Sequence, residues 1–351
     1  MRILILFLAA LSSLEACTAF HLRAQDGALI YCRSMEFGFP LDSHILIAPR
    51  GTSYVGTAPG AKGLRWKTKY GFTGLNQVFD RTLVSDGMNE KGLVVGMLYL
   101  PGYAKYEQPD PAQTNKTLGA WEVGSYLLGM CATVGEAKEL LSSVLVAEQM
   151  IPVIKRALPL HFYVGDSSGA VLVVEYVDGK RTFYDDPIGV LTNSPPFDWQ
   201  MKNLCNYVNL SPANVHHMTL GNWKVDYYGQ GSGSLGMPGD FTPPSRFVRA
   251  ALYSNWAHQV ATASDCVRLG FHILNTFDIF LGAIQDKTKP NFLEDFTAWV
   301  TVNDQTNLKM YVRSYESLSI QMVDLKKIDF SKGELKEMLF SREFFPVEIT
   351  N

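Results

Sequence analysis

Residues 17–37 read CTAFHLRAQDGALIYCRSMEF. Two β-prone runs flank Gln25-Asp26-Gly27, and a Gly after Asp between such runs signals a hairpin, because Gly adopts the left-handed backbone that closes the turn. The register decides which side chains meet. A three-residue loop with Gly27 left-handed sets Ala24 opposite Ala28, Ala19 opposite Arg33 and Cys17 opposite Met35. Arg33 then shares a sheet face with Cys17, one diagonal step away. A two-residue turn would set Phe20 opposite Arg33 and carry the guanidinium to the other face. A cation beside a thiol favours the reactive thiolate, so a nucleophilic Cys17 predicts the three-residue loop.

Upstream, residues 1–16 read MRILILFLAALSSLEA: one Arg, a short apolar run from Ile3 to Leu11, then small and polar residues. This is the three-part order of a secretory signal. The run is too short to span a bilayer. Cleavage after Ala16 is therefore expected, leaving an exported chain, periplasmic or secreted, that starts at Cys17 and has no integral membrane segment. Leu14-Glu15-Ala16-Cys17 also resembles a lipobox, in which the cysteine is lipidated and its amine acylated. That alternative gives a lipid-anchored, non-catalytic binding protein. Against it, Glu15 is awkward in a lipobox and no polar tether follows Cys17.

Downstream, strand patterns occur at Gly92–Tyr99, His161–Gly165, Ala170–Val177, Arg181–Tyr184, Ile188–Leu191, Thr297–Val302 and Lys309–Arg313. The cluster Asp86-Gly87-Met88-Asn89-Glu90-Lys91-Gly92 reads as a turn before the first of these. Helical patterns occur at Trp121–Met130, Val134–Leu145, Ser245–Trp256 and Ser264–Asn275, the third started by Pro243-Pro244. Strands come in groups with helices between them and without regular βαβ alternation, which favours an α+β fold. Tyr227–Asp240, YYGQGSGSLGMPGD, is the long Gly/Ser/Pro-rich passage and reads as a loop that could close over a site. No composition shift marks a second domain, so residues 17–351 are taken as one.

The chain of 351 residues is 47% hydrophobic and 19% charged, an ordinary globular composition. Its formal charge of −3 supplies no basic field for nucleic acid. Five cysteines, Cys17, Cys32, Cys131, Cys205 and Cys266, are too sparse for a disulfide scaffold, so buried free thiols are expected with Cys17 the exception. His216-His217 lacks further ligands at metal spacing, and no metal or other cofactor is expected.

A chain beginning at Cys17 would hold nucleophile and base in one residue. A thiol near 8.5 and an α-amine near 7.7–8.0, roughly, both lie close to working pH. Other segments connect Cys17 to a larger pattern. Cys17-Thr18-Ala19-Phe20, Arg33-Ser34-Met35-Glu36, Gly87-Met88-Asn89-Glu90-Lys91-Gly92-Leu93 and Leu98-Tyr99-Leu100-Pro101-Gly102 come first. Asp186-Pro187-Ile188-Gly189-Val190-Leu191-Thr192-Asn193-Ser194-Pro195, Leu235-Gly236-Met237-Pro238-Gly239-Asp240 and Ser245-Arg246-Phe247-Val248-Arg249-Ala250 follow. In these segments, in this order, the chain resembles the choloylglycine hydrolase family of N-terminal-nucleophile amidases, which contains bile salt hydrolases and penicillin V acylases.

The resemblance implies a four-layer αββα sandwich and a set of roles. Cys17 would attack the amide carbonyl, with its α-amine moving the proton and Arg33 beside the thiolate. Glu36 would bind the α-amine, although many members have Asp at this position. Asn193 would offer its side-chain amide to the oxyanion together with a donor near Tyr99, and Arg246 would complete the network. Tyr99 stands where penicillin V acylases have Tyr and bile salt hydrolases usually have Asn, which points first to a small acyl amide of the penicillin V type. Conjugated bile salts and acyl homoserine lactones are the alternatives, and a homotetramer is implied. Phe37, Trp66, Phe72 and Tyr103 are candidates for an apolar acyl pocket.

Overall fold

The computed structural model describes residues 16–151, 157–287 and 294–349. Residues 1–15, which carry the predicted signal, lie outside the described residues. Within the described chain the hairpin forms in the expected register. β1 (Cys17–Arg23) pairs antiparallel with β2 (Leu29–Phe37), with Cys17 opposite Met35 and Ala19 opposite Arg33. Gly27 has φ 88°, a left-handed value, and donates to Ala24 O at 3.1 Å to close the loop.

Two sheets grow from this start. Among the described residues the first has seven strands, in the order Val190–Leu191, β1, β2, Glu294–Asp304, Lys309–Ser314 and Gln321–Asp324, with Ile284–Gln285 added beside Glu294–Asp304. The second has eight, in the order Lys180–Asp185, Val171–Val177, Leu160–Gly165, Val94–Tyr99, Val84–Asn89, Phe72–Asn76, Ile45–Ala48 and Lys336–Met338. The sheets face each other through β1 and β2: Tyr31 packs its ring 4.9 Å from that of Tyr163. All nine residues of β2 are buried, which requires cover on both faces.

Helices supply the outer cover. Pro243–Trp256 packs on β1, and Ala263–Leu274 packs on β2 and Glu294–Asp304. Gly270 lets the second of these approach β2, since a Cβ there would lie 2.7 Å from Cys32 Sγ. On the far side Val123–Met130 packs on Val84–Asn89 and Val94–Tyr99, and Val134–Ser143 packs on Leu160–Gly165. Thr133 and Thr262 cap the two helices that follow them by accepting from Glu136 N and Asp265 N. The layers run helix, sheet, sheet, helix, the αββα sandwich of an α+β protein.

Two readings need correction. Asp86–Asn89 is not turn but the end of strand Val84–Asn89, and the turn is confined to Asn89–Gly92, where Gly92 N donates to Asn89 O at 2.9 Å. Its Asp and Gly, turn formers elsewhere, are demanded here by the sandwich. Asp86 is buried against the first sheet, and a Cβ on Gly87 would stand 2.5 Å from Thr73 O. Nor is Cys17 the exception among the thiols. All five cysteines are free, Cys17 is buried with Cys32, Cys131 and Cys266, and the exposed one is Cys205. No helix among the described residues is long and apolar enough to cross a membrane.

Candidate active site

Cys17 opens β1, and the carbonyl of Ala16 before it accepts from Glu36 N at 2.9 Å. Its side chain turns between the sheets, where Sγ lies 3.7 Å from both Arg33 Nη2 and Met35 Sδ. Burial raises the thiol above its ordinary pKa, while the Arg33 guanidinium works in the opposite direction.

Arg33 is fully buried yet well supplied with acceptors. Nη1 donates to Ser85 O at 2.8 Å and to Asp86 Oδ1 at 3.3 Å, and Nη2 donates to Met97 O at 2.5 Å. The guanidinium also lies 5.6 Å from the centre of the Trp299 ring. Burial disfavours its charge, but Cys17 and Asp86 together raise its pKa above the ordinary value. Asp86 in turn accepts from Tyr31 OH at 2.9 Å and Thr301 Oγ1 at 2.8 Å. The cation beside the thiol is thus held by a buried carboxylate that the sequence reading placed in a turn.

Asn193 follows the short strand Val190–Leu191. Its Oδ1 accepts from Cys17 N at 2.8 Å and from Arg246 Nη2 at 2.7 Å, and its Nδ2 donates to Tyr99 O at 2.8 Å. Donors on one side and a carbonyl on the other fix the orientation of the amide. One Nδ2 hydrogen is left over. The Tyr99 group that meets Asn193 is its backbone carbonyl, an acceptor. The Tyr99 ring is buried, 6.0 Å from that of Phe37.

Arg246 sits in the first turn of Pro243–Trp256, where the helix dipole disfavours a cation, and its partners supply the compensation. Nε donates to Phe241 O at 2.9 Å, Nη1 to Cys17 O and to Thr18 Oγ1 at 2.9 Å, and Nη2 to Asn193 Oδ1. Burial lowers its pKa, opposed by Glu36 and Cys17. Glu36 is fully buried. Its Oε1 accepts from Thr297 Oγ1 at 3.2 Å, and Oε2 has no hydrogen-bond partner. Burial pushes its carboxyl up to about 7 in spite of Arg246. Asp295, also buried and close enough to feel Arg246, is pushed up to about 7 by the same cause.

Cys17, Arg33, Asn193 and Arg246 are therefore in direct contact, Tyr99 joins through its carbonyl, and Glu36 lies beside them with one oxygen unused. The aromatic candidates divide. Phe37 packs against Tyr99 and Phe39. Trp66 is stacked on Tyr54 at 5.1 Å with Tyr126 at its edge, and Phe72 has no exposed surface and shares a core cluster with Leu127 and Leu128. Trp66 lies on the two-stranded hairpin Ser53–Ala58 and Ala61–Lys67, and Phe72 on the larger sheet, both buried. Tyr103 is 42% exposed on the turn after Tyr99. Asp86, Thr18 and Thr297 went unread in the sequence. A carboxylate between Val84 and Met88 in alternation was the available signal for the first. Among the described residues no group of three His, Cys, Asp or Glu is arranged to hold a metal ion.

Comparison with known proteins agrees with this geometry. Residues 17–338 match the model of the linear amide C–N hydrolases of the choloylglycine hydrolase family. A bile salt hydrolase/transferase of Clostridium perfringens is 32% identical over 333 residues, covering 93% of this chain and 97% of that protein. A penicillin V acylase of Pectobacterium atrosepticum is 32% identical over 327 residues, covering 86% of this chain and 78% of that protein. The crystal structure of a variant of the conjugated bile acid hydrolase from Clostridium perfringens superposes with a TM-score of 0.85 at 28% identity, covering 95% of this chain and all of that one. The family match begins at the residue whose thiol meets Arg33, and the chain belongs to the choloylglycine hydrolase family of linear amide C–N hydrolases.

Proposed function

We propose that this protein is an exported cysteine amidase in which removal of residues 1–16 makes Cys17 the N-terminal residue. The Cys17 thiolate attacks the substrate carbonyl carbon, and a C–S bond forms as the C–N bond breaks. The α-amine carries the thiol proton to the departing nitrogen. Water then cleaves the thioester and returns the thiol. The observation that carries this reading is the pair of contacts at one residue: Cys17 Sγ 3.7 Å from Arg33 Nη2, and Cys17 N held at 2.8 Å by Asn193 Oδ1. The unused Oε2 of Glu36 supports a role as the counter-ion of the new ammonium. The signal-like pattern of residues 1–16 supports export.

The substrate proposed first is a small acyl amide of the penicillin V type, supported by Tyr99, whose carbonyl meets the Asn193 amide and whose ring lies 6.0 Å from that of Phe37. A conjugated bile salt is the second reading, favoured by the similarity to the bile salt hydrolase of Clostridium perfringens. Measuring kcat/KM for penicillin V, glycine- and taurine-conjugated bile salts and acyl homoserine lactones separates them. The largest value is expected for penicillin V. A larger value for the bile salts selects the second reading, and no turnover of any member overturns both. Self-association, as a homotetramer, belongs to the same proposal and is supported by exposed Met218, Leu220 and Trp223 on one hairpin.

A further inference from the structure

We propose that His161 and Glu175 are a positioning pair that clamps both ends of the segment carrying Asn193, and so holds its carboxamide in place for amide cleavage. The inference rests on the family reaction and on Asn193 acting in it.

Strands Leu160–Gly165 and Val171–Val177 read LHFYVG and VLVVEYV, each with one imidazole or carboxyl group in an otherwise aliphatic and aromatic run. His161 and Glu175 are both fully buried. By alternation they share the face of Tyr163 and Val173, residues of the core cluster between the sheets. His161 Nε2 lies 3.0 Å from Thr192 O, and Nδ1 lies 3.0 Å from Glu175 Oε1. A carbonyl oxygen only accepts, so Nε2 carries a hydrogen. The second contact needs another proton, on Nδ1 or on the carboxyl. Either distribution leaves the pair with no net charge, as a buried position demands.

The same Glu175 Oε1 accepts from Phe197 N at 2.9 Å. The pair therefore grips Thr192 at one end and Phe197 at the other, enclosing Asn193-Ser194-Pro195-Pro196. The sheet ladder ends at Leu191, and Pro195 and Pro196 have no N–H to donate. Apart from the bonds of the Asn193 carboxamide itself, the other supports of this stretch among the described residues are Ser194 Oγ to Pro101 O at 2.6 Å, two long contacts from Gln200 Nε2, at 3.4 Å to Asn193 O and to Pro195 O, and Trp199 N and Gln200 N donating to Pro196 O at 3.0 and 3.1 Å. His161 and Glu175 touch neither Cys17 nor its other partners through any hydrogen bond of the described residues. Their effect on the reaction passes through Thr192 and Phe197.

His161→Leu removes the grip on Thr192, whereas His161→Gln keeps a donor of similar reach. Both are compared with the parent by penicillin V and glycine-conjugated bile salt hydrolysis, and by hydrogen exchange of the peptide 190–198. In His161→Leu, kcat is expected to fall about 30- to 100-fold with KM within about threefold, as a misplaced catalytic group demands. Exchange in peptide 190–198 is expected to rise about tenfold while the rest of the chain is unchanged, and His161→Gln is expected to recover most of both. A parental kcat with parental exchange in His161→Leu overturns the proposal, as does a raised KM at unchanged kcat or faster exchange throughout the chain. If His161→Leu does not fold, His161→Gln is set against His161→Asn, whose donor falls short of Thr192, and equal kcat in these two overturns it. If the parent hydrolyses neither substrate, the substrate reading has failed and the exchange of peptide 190–198 alone decides the clamp.

Discussion

Cys17 N donates to Asn193 Oδ1 at 2.8 Å across 176 residues of sequence, and Arg246 Nη2 meets the same oxygen at 2.7 Å. One amide thus ties the start of β1 to the short strand Val190–Leu191 and to the helix Pro243–Trp256. The nitrogen proposed as the base is held by a neutral acceptor, and Arg246 meets both that acceptor and the carbonyl of Cys17 itself.

Asn193→Ala removes this tie and takes one buried partner each from Arg246 Nη2 and Tyr99 O. A loss of kcat of about 10²- to 10³-fold is expected, the size seen when one oxyanion donor is removed. Steady-state kinetics on the best amide of the panel measures it. A change below about threefold would show that Asn193 has no part in the transition state.

Arg33→Met leaves Asp86 as an uncompensated buried carboxylate, with only Tyr31 and Thr301 still donating to it. Denaturant unfolding should show a loss of about 3–5 kcal/mol, the usual cost of breaking a buried pair from one side. Adding Asp86→Asn in that background should restore a large part. A double variant no more stable than the single one would show that the charge of Asp86 is not what Arg33 balances.

Glu36 predicts a pH dependence with a definite sign. Its folded-state pKa of about 7 exceeds the unfolded value of about 4.3. The folded chain therefore binds more protons than the unfolded one between these values, and stability falls as pH rises from about 4.3 to about 7. In a chain that retains Ala16, Glu36→Gln should be stabilised relative to its parent by about 1–3 kcal/mol more at pH 8 than at pH 4. Thermal unfolding at the two pH values measures the difference. Asp295 contributes with the same sign in both proteins and cancels. In a chain starting at Cys17 the new ammonium is expected to supply Glu36 with a charge partner, and the difference should shrink. A Gln variant whose stability relative to the parent is no higher at pH 8 than at pH 4 while Ala16 is present would contradict the assigned environment.

The hairpin was legible because its register follows from local chemistry. Asp26-Gly27 sets the turn, the turn sets the pairing, and the pairing puts Arg33 beside Cys17. The helices Pro243–Trp256 and Ala263–Leu274 were legible from their starts and periodicity. Strand Val84–Asn89 was not, because the reason for Asp86 lies in Arg33 and in Thr301, which is 215 residues away. Local propensity reads a turn there, and tertiary pairing overrides it. For Trp66 and Phe72 the sequence supplies an aromatic ring but not the enclosure around it, and both rings are buried. His161 and Glu175 did leave a trace, as the one imidazole and the one carboxyl in strands that are otherwise aliphatic and aromatic. Their joint target at Thr192 and Phe197 appears only once the strands are paired.

Cys17→Ser should keep the fold, since it replaces one small side chain by another, and should lower kcat sharply because a hydroxyl at this position is far less ionised than a thiol. Circular dichroism and kinetics on the same preparation check both halves. Parental kcat in the serine variant would remove the thiol from the reaction.

Most direct is the intact mass and N-terminal peptide of the active protein, taken before and after rapid quenching with its best amide substrate. A free Cys17 nucleophile predicts a chain that begins at Cys17 with an unmodified amine and, after quenching, carries one acyl group on the Cys17 thiol. Full activity in a chain that still begins before Cys17, or in one whose Cys17 amine is acylated or thiol lipidated, would contradict it.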